Sequence, residues 1–265
     1  MMEKNIQEYL TVAEETARAA GKVLLDYADR FHVREKGHAD LVTEADFASQ
    51  EKVKEMILGA FPTHKILGEE NIPGTDAAGG PGVYRWIVDP LDGTTNYVHK
   101  YPHFAVSLAL EYDREMQVGV IFAPMTGECF TAIRGGGAFL NGKQIHTSPE
   151  TEIEKSLVAI GMPPESGPGS LDLRGFLYAL QSTQGFRRTG STALNIAYVA
   201  SGRMDVAWHF RTKPWDVAAG TLMVREAGGV IRSSNGGEFC VDNGDFIATS
   251  TDFLMEKFLK LIPEV

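Results

Sequence analysis

An apolar run that ends in acid constrains this chain more tightly than any other stretch: Trp86-Ile87-Val88-Asp89-Pro90-Leu91-Asp92-Gly93-Thr94-Thr95. Tyr84–Val88 reads as a strand that ends at Asp89, so the backbone fixes that carboxylate rigidly. In an extended chain the Cα atoms of residues three apart lie about 10 Å from one another. Pro90 presets φ to about −65° and Gly93 tolerates a positive φ, so a turn here brings Asp89 and Asp92 to one spot. Two carboxylates held together resist ionising unless a cation sits between them. Magnesium suits such a place, because it is a hard ion that takes oxygen ligands and keeps waters beside one or two carboxylates and a phosphate. Thr94 and Thr95 then head a short helix whose free N–H groups favour an anion. Asp-Pro-x-Asp-Gly is equally good chemistry for a surface turn that binds nothing.

Further acidic positions bear on that choice. Gly68-Glu69-Glu70 follows the apolar Ile66-Leu67, which puts Glu69 at a strand end rather than in a solvated charge run. Trp215-Asp216 opens a helix, where Asp is a favoured N-cap. Thr43-Glu44-Ala45-Asp46 fits a capping box, with Asp46 in the glutamate role, at the head of a helix that runs to about Ala60. Capping alone accounts for Asp216 and Asp46. A Ser or Thr cap likewise accounts for Gly190-Ser191-Thr192 ahead of the helix Ala193–Ala200.

The rest of the chain frames these positions. Its 265 residues allow one large domain or two small ones. Ile6, Leu10, Ala13, Ala17, Ala20, Leu24 and Tyr27 recur at helical spacing. Strands follow at 104–111, 117–122 and 128–133, and Asn141-Gly142 signals a tight hairpin. In the second half, short apolar runs alternate with helical stretches, which predicts mixed α/β layers. Pro163–Gly169 is the expected boundary or exposed loop, and Asn71–Gly82 a second loop. A balance of 25 basic against 35 acidic residues, net −10, disfavours nucleic-acid binding. No apolar run reaches the roughly 18 residues of a membrane span. The N-terminus has no signal-peptide pattern, and only Cys129 and Cys240 are present, so a reducing cytoplasm is expected.

In this order and spacing, Gly68-Glu69-Glu70, Trp86-Ile-Val-Asp89-Pro-Leu-Asp92-Gly-Thr94-Thr-Asn and Trp215-Asp216-Val-Ala-Ala-Gly220 resemble the inositol monophosphatase family. Asp40–Asp46 and Glu226-Ala-Gly-Gly229 match it too, and the similarity runs from about residue 5 to residue 260. The resemblance implies an α+β or α/β fold of the sugar-phosphatase type: a layered αβαβα sandwich of two sheets and flanking helices. It divides the chain into an N-terminal half, 1–145, with the main metal motif, and a C-terminal half, 146–265, with Asp216 and substrate contacts. It implies two or three Mg²⁺ ions held by Glu69, Asp89, the Leu91 carbonyl, Asp92 and Asp216, with a catalytic role for Thr94, Asp46 and Glu69 in activating water. Substrate contacts are implied at Asp92, Gly93, Thr94, Gly190, Ser191, Thr192, His209 and Asp216. The implied activity is hydrolysis of inositol monophosphate or a similar polyol or sugar phosphate, with lithium sensitivity and a homodimeric state. Inositol-preferring members carry an acidic residue seven positions before the Trp-Asp aspartate; this chain has His209 there. Fructose-1,6-bisphosphatase, 3′-phosphoadenosine-5′-phosphate nucleotidase and histidinol-phosphatase activities are the alternatives, as is a protein-binding role on a phosphatase fold.

Overall fold

The first helix, α1 (Met2–Tyr27), buries the stripe Ala13, Ala17, Ala20 and Leu24 completely, as its periodicity predicts. The computed structural model describes residues 2–28, 30, 32–37, 40–162, 166–167 and 170–260. After α1 comes a hairpin that the sequence did not signal, β1 (Val33–Gly37) and β2 (Asp40–Thr43). It leads straight into α2 (Glu44–Ala60). The capping box is present: the Thr43 hydroxyl accepts from the Ala45 amide at 3.1 Å, and Asp46 Oδ2 accepts from the Thr43 amide at 2.8 Å. Pro62 disfavours helical geometry at Phe61, and α2 stops at Ala60.

A seven-stranded sheet follows in spatial order: β3 (Lys65–Gly68), β4 (Tyr84–Asp92), β5 (Ala105–Tyr112), β6 (Glu115–Ala123), β7 (Glu128–Ile133), β8 (Gly137–Leu140) and β9 (Lys143–Ile145). A five-residue helix, α3 (Thr94–Val98), lies between β4 and β5. β3 runs parallel to β4, and every later pairing is antiparallel. Asn141 and Gly142 take φ of 49° and 76° in the two-residue turn joining β8 to β9, as a type I′ turn requires. Side chains of β4 alternate between faces: Trp86 and Val88 pack with α1 and α2, whereas Ile87 enters a separate core.

The second sheet comprises β10 (Leu157–Ile160), β11 (Gly185–Arg187), β12 (Val206–His209), β13 (Val230–Arg232) and β14 (Phe246–Thr249), ordered β11-β10-β12-β14-β13. Four helices accompany it: α4 (Leu171–Ser182), α5 (Thr192–Ala200), α6 (Pro214–Glu226) and α7 (Asp252–Leu259). Ile87 and Ile121 of the first sheet share one buried cluster with Ala193 and Ile196 of α5, Ala218 and Leu222 of α6, and Ala159 and Ala207 of the second sheet. The outer face of the second sheet packs Val158 and Trp208 with Ala179 of α4 and Phe258 of α7. The layers are therefore α1/α2, seven strands, α5/α6, five strands and α4/α7: an αβαβα sandwich. The first sheet ends at Ile145 and the second begins at Leu157. Of the expected loop at 163–169, only Ser166 and Gly167 are among the described residues. No helix of the described residues is long and apolar enough to cross a membrane.

The middle layer is seated by missing side chains. A Cβ on Gly119 would lie 2.8 Å from the Ala219 carbonyl oxygen, and one on Gly220 would lie 2.6 Å from Ile196. At the far end of α6, the Glu226 carboxylate accepts from the amides of Gly135 at 2.8 Å and Gly137 at 2.9 Å. This ties the helix to the turn between β7 and β8.

Candidate active site

β4 does not end at Asp89, as the sequence reading held. It continues to Asp92 through a bulge: Asp89 faces Ser107 and Asp92 faces Ala105, three residues against two. Residues three apart point to opposite faces of an unbroken strand, and the extra residue removes that parity. Pro90 fits inside the bulge, where a ladder N–H is not needed. The Ser49 hydroxyl donates to the Pro90 carbonyl at 2.9 Å, and Asp89 Oδ1 accepts from the Leu91 amide at 3.0 Å. Gly93 follows at φ 101°; a Cβ there would lie 3.2 Å from the carbonyl oxygens of Gly190 and His103. That close approach lets α3 start beside the segment before α5.

Thr94 heads α3, and its hydroxyl lies 3.3 Å from Asp46 Oδ1 and 3.2 Å from the Leu91 carbonyl oxygen. Asp46 is buried, and its other oxygen is held by the Thr43 amide and hydroxyl at 2.8 and 2.6 Å. The first-turn carboxylate of α2 therefore caps its own helix and receives Thr94. Glu69 follows β3, its amide donating to the Val88 carbonyl at 3.2 Å. Gln50 of α2 fixes this segment by bonding both the amide and the carbonyl of Glu70 at 2.8 Å. A Cβ at 68 would stand 2.4 Å from the Gln50 side-chain amide and would have to displace the group that fixes this segment.

Asp216 is not the N-cap of α6, as the sequence reading had it. Lys213 is the cap and Pro214 opens the helix, so Asp216 sits in the first turn, where its Oδ2 accepts from the Lys213 amide at 2.7 Å. Asp92 is held by the start of α5: the Ser191 hydroxyl and the Ala193 amide (2.9 Å) donate to Oδ2, and the Thr192 amide donates to Oδ1 at 3.1 Å. Gly190 precedes this cap at φ 86°. Burial drives the Asp89 carboxyl well above the usual carboxylate range, and the charges of Glu69, Asp92 and Asp216 drive it further. Burial raises Asp216 to about 7 despite the Lys213 amide. Asp92, also raised by burial, reaches only about 6, because the Ser191 hydroxyl and the backbone amides of Ala193, Thr192 and Leu194 favour its charged form.

Glu69, Asp92 and Asp216 thus come within electrostatic reach of Asp89, and Thr94 meets Asp46. Yet among the described residues no three His, Cys, Asp or Glu side chains are placed so that together they could hold a metal ion without moving. The Asp92 oxygens turn toward α5 instead. The donor set nonetheless fits a hard divalent cation, since it is all oxygen and made of carboxylates whose charges oppose one another. His209 ends β12; its Nδ1 lies 3.1 Å from the Thr192 hydroxyl, and its Nε2 is buried without a partner. A Cβ on Gly161 would lie 2.2 Å from this ring, and burial lowers the His209 pKa to about 4, so the ring stays neutral. Arg211, at φ 63°, pairs with the buried Asp172 at 2.9 Å.

The sequence reading missed Gln50, Asp172 and Asn96, whose amide nitrogen donates to the carbonyls of His103 (2.7 Å) and Thr189 (2.9 Å). Asn96 lies in the matched motif without a role of its own there, and the partners that fix Gln50 and Asp172, Glu70 and Arg211, are distant in the chain. Cavities of about 610 and 510 Å³ are lined by none of these carboxylates. The chemistry, not the depth of the surface, marks the site.

A sequence model described as the inositol monophosphatase family matches residues 5–265. The Nus factor SuhB of Pseudomonas aeruginosa PAO1 is 39% identical over 253 residues, 93% of each chain. The inositol-1-monophosphatase of Rhizobium meliloti 1021 is 39% identical over 245 residues, 90% of each. The crystal structure of the extragenic suppressor protein suhB from Bartonella henselae superposes with a TM-score of 0.89 at 37% identity, covering 97% of this chain and 99% of that one.

Proposed function

The chain belongs to the inositol monophosphatase family, and from that premise we propose that it is a Mg²⁺-dependent phosphomonoesterase acting on inositol monophosphate or a similar small polyol or sugar phosphate. The observation that carries this reading is the cluster at the bulge of β4, where Asp89 is raised by burial and by three neighbouring carboxylates. Two or three Mg²⁺ ions would be held by Glu69, Asp89, the Leu91 carbonyl, Asp92 and Asp216. When bound, they neutralise these charges, polarise phosphoryl oxygens and make water a better nucleophile.

The chain's own residues prepare the rest. The Thr94 hydroxyl donates a hydrogen bond to Asp46 Oδ1 and keeps its lone pairs to accept from an attacking water. Asp46 stays in place because Thr43 donates twice to its other oxygen. Glu69 flanks the same water. Gly93 and the amides of Thr94 and Thr95 receive the phosphoryl group at the head of α3. Gly190, Ser191, Thr192 and His209 face the alcohol that leaves, with Asp92 and Asp216 beside them. The neutral His209 ring offers no carboxylate to a ring hydroxyl, which supports a broader polyol or sugar-phosphate preference over strict inositol specificity.

The test is phosphate release from a panel (inositol 1-phosphate, fructose 1,6-bisphosphate, 3′-phosphoadenosine 5′-phosphate and histidinol phosphate) with and without Mg²⁺. Release that needs Mg²⁺ and is lost in Asp89→Asn, with the fold retained, is the expected result; undiminished activity in that variant overturns the metal assignment. Lithium inhibition, a homodimer and a cytoplasmic location belong to the same reading. A second reading, a protein-binding partner on a phosphatase fold, is favoured by the relatives named Nus factor SuhB at 37–39% identity. A stable partner retained by Asp89→Asn in pull-downs, with no ester of the panel hydrolysed by the wild type, would favour it.

A further inference from the structure

We propose that Ser191 is a positioning residue that makes Asp92 a one-point ligand, through Oδ1, for one of the divalent ions, the more weakly held; the inference rests on the phosphatase reading above. A carboxylate offers about four acceptor positions, two on each oxygen. The start of α5 fills three of them. Oδ2 takes the Ser191 hydroxyl and the Ala193 amide, and Oδ1 takes the Thr192 amide. Oδ2 is saturated, and Oδ1 alone keeps a free direction. The other two aspartates carry lighter loads: Asp89 takes the Leu91 amide at 3.0 Å and Asp216 the Lys213 amide at 2.7 Å. Each of those keeps several directions open to a cation, whereas Asp92 keeps one.

The hydroxyl proton of Ser191 is aimed by the helix itself. Ser191 is the N-cap of α5, and its Oγ accepts the Leu194 amide at 3.3 Å. With one of its two lone pairs turned to that amide, its single proton is left for Asp92. The segment is braced from the other side, because Asn96 of α3 holds the Thr189 carbonyl at 2.9 Å. A Cβ on Gly190 would meet that same Asn96 amide at 2.9 Å. Asp92 and Ser191 lie 99 residues apart, on the rim of one sheet and at the head of a helix packed under the other. Their bond therefore fixes the ligand and closes the site across the layers together.

Replacing the hydroxyl leaves Oδ2 with one donor and lets the carboxylate turn. Loss of a partner that orients a metal ligand typically costs about 10- to 100-fold in affinity. Calorimetric titration of the full chain with Mg²⁺ alone, with no substrate present, reads this directly, and Mn²⁺ paramagnetic resonance counts the ions. The wild type is expected to load two ions in separable phases. Ser191→Ala should weaken the second phase by about 10- to 100-fold and leave the first unchanged, while Ser191→Thr, which keeps the hydroxyl, should restore both. Ser191→Gly, a residue tolerated at helix caps, separates the loss of the hydroxyl from the loss of the cap and should match Ser191→Ala. If both hydroxyl-free variants titrate like the wild type, or only melt earlier, Ser191 is a helix cap and nothing more. The inference then fails while the phosphatase reading stands. A wild type that takes up no Mg²⁺ overturns both.

Discussion

Strand β4 carries buried charge at both ends and treats it in opposite ways. At its start, Arg85 meets Glu111 through two bonds of 2.8 and 3.1 Å, with side chains only 6% and 3% exposed. Gly79 roofs this pair, and a Cβ there would stand 2.4 Å from the Glu111 carboxylate. At its end, Asp89 and Asp92 are as deeply buried, but they face further carboxylates. Desolvation is costly at both ends. At one end the chain supplies the compensating cation itself; at the other it supplies none, and the carboxyls are held toward their protonated forms instead. One end serves the fold, and the other gives up stability that the proposed ions would return on binding.

The comparison breaks most visibly at the balanced end. Arg85→Ala strands the Glu111 carboxylate and should cost about 3–5 kcal/mol in a denaturant melt; a loss under about 1 kcal/mol would make the pair no different from a surface bridge. At the other end, effects should fall on rate. Thr94→Val is expected to lower Mg²⁺-dependent phosphate release by about 100-fold while the melting temperature stays nearly constant.

Asp216→Asn sharpens the contrast through pH. The native carboxyl, raised to about 7, holds its proton where the unfolded chain, near 3.8, has released it. Between these values the native state binds more protons, so this group's contribution to stability falls as pH rises. Without metal, the Asn variant should therefore be more stable than the wild type at pH 8, by on the order of 1–3 kcal/mol, and equal to it at pH 4. Saturating Mg²⁺ should reverse the order at pH 8. The smallest effect is expected from Thr43→Ala, about 1 kcal/mol for a lost cap, with an accompanying fall in turnover because Asp46 loses a donor.

Local signals were legible in the sequence where the physics is local. The Thr43–Asp46 box and the Asn141-Gly142 turn need only their neighbours to form, and both are present as read. The stretch from Asp89 to Asp92 was legible in chemistry but not in geometry, because a bulge depends on the register of β5, which Pro90 and Gly93 do not encode. Asp216 misled for a related reason: Pro214 at the first helical position shifts the cap back to Lys213. The β1–β2 hairpin carries no alternating apolar run, and β11 is three residues long. Neither leaves a periodic trace. The hold of α5 on Asp92 joins residues about a hundred apart and could be read only after folding.

The seat of α6 has a consequence of its own. With the Gly119 face touching Ala219 and Glu226 tied to the amides of Gly135 and Gly137, the helix that carries Asp216 has no slack toward the sheet that carries Asp89. A single methyl group at 119 would act like a shim under a machine part. It would raise the whole helix, widen the gap between its carboxylate and those of β4, and disturb chemistry from a position that no substrate ever touches.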